Sequence, residues 1–237
     1  MVIAKELFIG LVSMIFACGP TLAQPQPPGA ITGRPPSLLG SEKADLIRTL
    51  GDLQDQVRSI RDAPGNSRLS PLTDGIIRSA RWFSDVAARW SPKQPHEGGP
   101  LLASMGRMLR VLRAAPSSGP ELAAVLAEVR EDLSVKEEHC RAKGLATPQR
   151  VAVITKRNAL DEVKGLEVLY IEKFFQSDPI AKPQQFRRFS SPAVDDLVPG
   201  KYVLWAKEPG QTGRRGERKE ARIGNGFPKE PIEVLAP

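Results

Sequence analysis

The sequence predicts an α+β protein in which an N-terminal antiparallel helical bundle precedes a C-terminal antiparallel β-sandwich. Through residues 41–144, apolar side chains recur at alternating spacings of four and three, the period of a single helix face. Beyond Gly144 the pattern changes to short runs of branched and aromatic residues broken by Pro and Gly, as strands and their turns read. Residues 24–40 stand apart from both halves, because their QPQPPGAITGRPPS stretch is dense in Pro and Gly and favours extended, unpaired backbone.

Residues 1–23 carry Lys5, an apolar run over 7–18 and the small-residue ending Thr21-Leu22-Ala23. The run is shorter than the roughly 20 residues a spanning helix needs. It therefore reads as a secretory signal peptide cleaved after Ala23, with the mature chain exported to the periplasm or the extracellular space. The alternative is a lipobox at Ile15-Phe16-Ala17-Cys18, which would make the protein lipid-anchored through Cys18. Residues 24–40 then serve as a tether. No later stretch is apolar for long enough to cross a bilayer, so no transmembrane helix is expected in the mature chain.

In the helical half, residues 41–144, Ser41 is placed to cap the first helix with Glu42 in its first turn. Leu46, Leu50, Leu53, Val57 and Ile60 then share one stripe up to Asp62, and Pro64-Gly65-Asn66 ends it. The second helix is expected over residues 72–90, on Ile76, Ala80, Phe83, Ala87 and Trp90, before Ser91-Pro92. The third, residues 101–114, sets Leu102, Met105, Leu109 and Leu112 on one face and Arg107, Arg110 and Arg113 on another. The fourth starts from Ser118 with Pro120 in its first turn, carries Leu122, Leu126, Val129 and Leu133, and ends before Gly144. Short breaks return each helix alongside the last, hence the antiparallel bundle.

In the second half, residues 147–237, strands are expected at 151–155, 166–171, 186–190, 202–207, 217–223 and 232–235. Within Leu197-Val198-Pro199-Gly200-Lys201-Tyr202, Pro199 pre-sets a turn and Gly200 is expected to supply a backbone angle that other residues avoid. Either Tyr202 with Leu204, or Val203 with Trp205, faces the core, depending on register.

The pattern Leu-x-Pro-Gly-x-Tyr at Leu197 to Tyr202, together with Gly165-Leu166-Glu167-Val168, resembles the carboxypeptidase regulatory-like domain of the transthyretin-like (prealbumin-like) β-sandwiches. The resemblance covers residues 147–237 and none of the helical half. Residues 174–191, between the two elements, are longer than the pattern and leave the strand count open there. It implies a non-catalytic module of secreted or envelope proteins with roles in stability, adhesion or glycan contact. The enzyme branch of that fold hydrolyses hydroxyisourate with His and Arg residues and a C-terminal Tyr-Arg-Gly-Ser. This chain ends Glu233-Val234-Leu235-Ala236-Pro237 and has no His after His139, so that branch is disfavoured.

Function is read from a net charge of +7 and sparse site chemistry. A basic surplus spread over both halves suits an anionic envelope surface better than nucleic acid once export is expected. With Cys18 in the leader, Cys140 has no partner for an intramolecular disulfide and is expected to be a half-buried residue near a helix end. His96-Glu97 and Glu137-Glu138-His139-Cys140 lack metal-ligand spacing, because consecutive helical residues point in successive directions. No metal site, cofactor or catalytic residue is assigned, and no Gly-x-Ser-x-Gly elbow or phosphate-cradling loop is present. Binding is placed on Arg187 and Arg188 between Phe186 and Phe189, on the basic run Arg214, Arg215, Arg218 and Lys219, and on Trp82, which lies off its helix's apolar stripe. Pro199, Gly200 and Tyr202 are read as structural turn residues. The expected function is a non-enzymatic binding or scaffolding protein of the cell envelope contacting a protein or glycan. The alternative is a hydrolase-type enzyme with a carboxylate or Lys site between the two halves.

Overall fold

A computed structural model describes residues 38–93, 96–145, 147–158, 161–186, 192–210 and 216–237. The expected signal peptide, Cys18 and residues 24–37 lie outside these, as do Arg187, Arg188, Arg214 and Arg215. The described residues belong to one compact unit. Among them the fold is α+β, with four long helices followed by two sheets. No helix among the described residues is long and apolar enough to cross a membrane.

Helix α1 (Leu38–Asp62) begins before the Ser41 expected to cap it, so residues 38–40 belong to the helix and not to the tether. Helices α2 (Ser70–Arg89), α3 (Gly99–Ala114) and α4 (Pro120–Lys143) each carry Pro at the first or second position, where the missing N–H has no helical partner to lose. Gly119 and Gly144, both at positive φ, bracket α4. α1 packs against α2 and α3, and α2 against α4. Leu46, Leu50, Leu53 and Val57 share one buried core with Ile76, Phe83, Met105, Leu112, Leu126 and Leu133.

Among the described residues seven strands follow: β1 (Gln149–Lys156), β2 (Glu167–Glu172), β3 (Gln184–Gln185), β4 (Ala193–Leu197), β5 (Gly200–Lys207), β6 (Lys219–Ile223) and β7 (Ile232–Leu235). They form a three-stranded sheet, β4-β1-β7, and a four-stranded sheet, β3-β2-β5-β6. Every pairing is antiparallel except β1 with β7, which run parallel, so the second half is not the purely antiparallel sandwich expected. β4 is a strand the sequence did not announce. Its Ala193, Asp195 and Leu197 point inward, and the buried Asp195 breaks the apolar alternation by which a half-buried strand is recognised. Of the strand expected at 186–190, Phe186 is buried just after β3 and the rest lies outside the described residues.

One core lies between the sheets, formed by Val151, Val153, Leu197, Tyr202, Leu204, Ile223 and Val234 among others. On β2 and β5, Leu169, Ile171, Val203 and Trp205 instead join the helical core. Both register alternatives for β5 therefore hold together. Tyr202, Leu204 and Ala206 face the three-stranded sheet and Val203 and Trp205 face the helices. Burial on both faces is why Tyr202-Val203-Leu204-Trp205-Ala206 reads as a continuous apolar run. The layers run helices, four-stranded sheet, three-stranded sheet, with α4 lying on β5.

Val198 and Pro199 carry the chain from β4 in one sheet to β5 in the other. Gly200 does not adopt the left-handed backbone expected of it. Its requirement is space, since a Cβ there would stand 2.5 Å from Asp132 Oδ1 and 2.7 Å from Lys136 Nζ.

Candidate functional site

The apolar stripe of α4 runs Leu122, Leu126, Val129, Leu133 and Cys140, and the three-four spacing places Lys136 on it. Lys136 and Asp132 are both fully shielded from solvent. Burying an ion costs several kcal/mol unless an opposite charge and hydrogen bonds replace its water, by order-of-magnitude reasoning. Here opposite charges and hydrogen bonds from four elements stand in for that water. Lys136 Nζ donates to Asp132 Oδ2 one helical turn away, and lies 3.6 Å from Glu172 Oε1 at the end of β2. Ser104 Oγ on α3 donates to Glu172 Oε1, and Arg107 Nε donates to Glu172 Oε2 at 2.5 Å. The N–H of Lys201 donates to Asp132 Oδ1 at 2.6 Å. The Phe174 ring lies 5.9 Å from Lys136 Nζ, and the Phe175 ring 5.9 Å from Arg107 Cζ. Two cations and two carboxylates thus join α3, α4, β2 and β5.

Burial pushes the Asp132 carboxyl up to about 6, against the pull of the Lys136 ammonium and with the push of Glu172. Burial raises Glu172 as well, but the charges of Lys136 and Arg107 outweigh it and hold Glu172 below its ordinary value. The two carboxyls share one ammonium, and Asp132 is the one that takes up a proton first. Burial also drives the Tyr202 phenol well above its ordinary value, and its hydroxyl donates to Val198 O at 2.7 Å.

Two cavities flank the cluster. On the Arg107 side lies a cleft of about 200 Å³ lined by Arg107, Tyr170, Glu172, Lys182, Gln184 and Asp196. On the Lys136 side lies one of about 470 Å³ bordered by His96, Lys136, Cys140, Pro148 and Pro199. Pro100, Asp196 and Val198 border both.

His139, just beyond the cluster on α4, acts as a clamp. Its Nε2–H donates to Thr147 O at 2.9 Å while its Nδ1 accepts from the Asn225 N–H at 2.7 Å, an arrangement that uses the neutral ring. Burial lowers its pKa accordingly. His96 meets Glu42 Oε1 at 2.8 Å instead, and among the described residues no three His, Cys, Asp or Glu side chains converge as a metal would require. Cys140 is buried and forms no disulfide.

Of the residues singled out for binding, those described, Trp82, Arg218 and Lys219, line neither of these two cavities. Trp82 is half-buried at the margin of the helical core, edge-on to Phe83 at 4.9 Å, with the Arg141 guanidinium 4.4 Å from its ring centroid. Arg218 and Lys219 are exposed around the start of β6, with Arg218 5.8 Å from the Trp205 ring. Trp205 itself is buried against the helices. The cluster was not singled out from the sequence, although Lys136 on the apolar stripe of α4 is a readable sign of it. Ser104 and Arg107 carry no such sign, because only the tertiary fold separates Arg107 from Arg110 and Arg113. No protein-family model, curated protein or solved structure matches the chain.

Proposed function

We propose that the protein is a non-enzymatic binding or scaffolding component of the cell envelope whose sandwich contacts a protein or glycan partner. The observation that carries this reading is the burial of opposite charges against one another across the helix–sheet seam. Asp132, Lys136 and Glu172 are tied to one another, to Ser104, to Arg107 and to the Lys201 backbone, which suits rigid joining of two halves better than turnover. The apolar leader and Pro-rich tether support export. Two sheets of three and four strands, with β5 preceded by Leu197-Val198-Pro199, support a transthyretin-like sandwich of the carboxypeptidase regulatory-like kind. The test is co-sedimentation of the purified mature chain with isolated envelope polymers, beside a panel of ester, amide and glycoside substrates. Binding without turnover is expected; turnover abolished by Asp132→Asn would refute the reading.

A second reading rests on a different observation. Two carboxyls whose pKa values are pushed apart, beside a cleft where helices meet sheet, also describe a hydrolase-type site with Asp132 as the proton carrier. The substrate panel separates it from the first.

A further inference from the structure

We infer that the cleft beside α3 binds the carboxylate of a ligand the size of one or two amino acids, with Arg107 and Lys182 as the groups that take it. The inference rests on the binding reading above and names its ligand class. Arg107 reaches the cleft from α3 with its guanidinium already oriented. Nε is spent on Glu172 Oε2 at 2.5 Å, and the Phe175 ring lies 5.9 Å from the guanidinium carbon. No described side chain engages its two terminal nitrogens. Those nitrogens form the planar fork that matches both oxygens of a carboxylate, and a fork held in place beforehand loses little freedom on binding. Glu172, fixed in turn by Ser104 and Lys136, is the positioning residue.

The cleft's cations lie apart from its remaining carboxylate. Its lining holds Arg107 and Lys182 against Glu172 and Asp196; Arg107 is bonded to Glu172 through Nε alone, and Lys182 pairs with no carboxylate among the described residues. Gln184 adds an amide, the rings of Tyr170 and Phe175 an apolar wall, and Asp196 a negative charge at the β4 side. A ligand carrying an amine beside its carboxylate would use Asp196; a sugar acid would not. The cavity of about 200 Å³ is too small for a polymer and suits a terminal group or a free small molecule.

The experiment is an NMR titration of the full mature chain, following the Gln184 side-chain amide and the Arg107 Nε–H, with dialanine, dialanine amide and glucuronate as probes. Dialanine is expected to shift both signals and the amide to bind at least about tenfold more weakly, the scale of one charge-assisted contact. Glucuronate binding as well as dialanine would assign a sugar acid as the source; dialanine binding better, with the advantage lost in Asp196→Asn, would assign a peptide. Lys182→Ala, at an exposed position, is expected to weaken dialanine by about tenfold with an unchanged melting temperature. Arg107→Lys keeps a cation for Glu172 but removes the fork, and should weaken it further. Equal binding of dialanine and its amide, indifference to both variants, or no shift with any probe at millimolar concentration would overturn the site. If the chain still sediments with envelope polymers in that case, the binding reading survives its ligand class. Dialanine bound and hydrolysed would keep the site and end the non-enzymatic reading.

Discussion

Inside the bundle, Leu50, Leu53, Val57, Ile76 and Phe83 are wholly shielded from water and offer one another only apolar surface. Further along α4, where the bundle meets the sandwich, Asp132 and Lys136 are shielded as completely and meet Glu172, itself bonded by Ser104, and the Lys201 backbone. The difference lies in what each region specifies. Apolar contacts are non-directional and tolerate repacking at constant volume. The charged seam accepts one arrangement only, because a strand shifted by one residue would bring a different N–H to Asp132 and place a side chain where Gly200 leaves room. The bundle supplies burial, and the seam determines which strand α4 lies on.

The comparison breaks most severely at Lys136. Lys136→Ala leaves Asp132 and Glu172 facing each other without their shared cation and should cost about 3–5 kcal/mol by denaturant unfolding. Leu50→Ala, an equally buried position in the bundle, should cost about 2–5 kcal/mol, its size set by how far the cavity collapses. The two should differ in kind. Lys136→Met, which fills the space without charge, should recover little while Asp132 remains ionised, whereas Leu50→Met should cost less than about 1.5 kcal/mol.

Acid sharpens the comparison next. A carboxyl whose folded-state pKa is raised stabilises the protein fully below its unfolded value, and the contribution is lost as pH rises through the folded value. For Asp132 the loss falls between an ordinary value near 3.9 and a folded value of about 6. Asp132→Asn cannot titrate. Its stability relative to the natural chain should therefore rise from pH 4 to pH 7, by at most about 3 kcal/mol. A relative fall over that window would mean that the Asp132 pKa is depressed by Lys136 instead. The bundle variants should show no such pH-dependent difference.

Smaller effects belong to the turn. Gly200→Ala should cost about 1–3 kcal/mol through overpacking against Asp132 and Lys136, although the backbone there suits alanine. In Asp132→Ala the same substitution should cost less, which a double-mutant cycle measures. Tyr202→Phe, which leaves Val198 O without its donor, should cost about 1 kcal/mol by denaturant unfolding.

What could be read from the sequence follows the same division. The bundle was legible because its helices repeat one period, and Leu46, Leu50, Leu53, Val57 and Ile76 occupy the faces that period assigns. β5 was legible as a strand, but not its burial on both faces, since a short apolar run does not state how many layers cover it. β4 was hidden by Asp195 and Asp196, and the parallel pairing of β1 with β7 by the absence of any local sign of strand direction. Gly200 lies in the turn its Pro-Gly sequence predicts but is required for space and not for its backbone angle, two needs that the same letter spells. The cluster depends on Ser104, Arg107, Asp132, Lys136 and Glu172, which span 68 positions between Ser104 and Glu172, and such pairing is a property of the fold alone.

The central claim is that the charged seam makes helices and sandwich one cooperative body. Native-state hydrogen exchange on Lys136→Ala beside the natural chain tests it most directly. The account predicts that amides of α4 and of β5 lose protection together and by the same free energy. Loss confined to α4, with β5 and its sheet as protected as before, would contradict it.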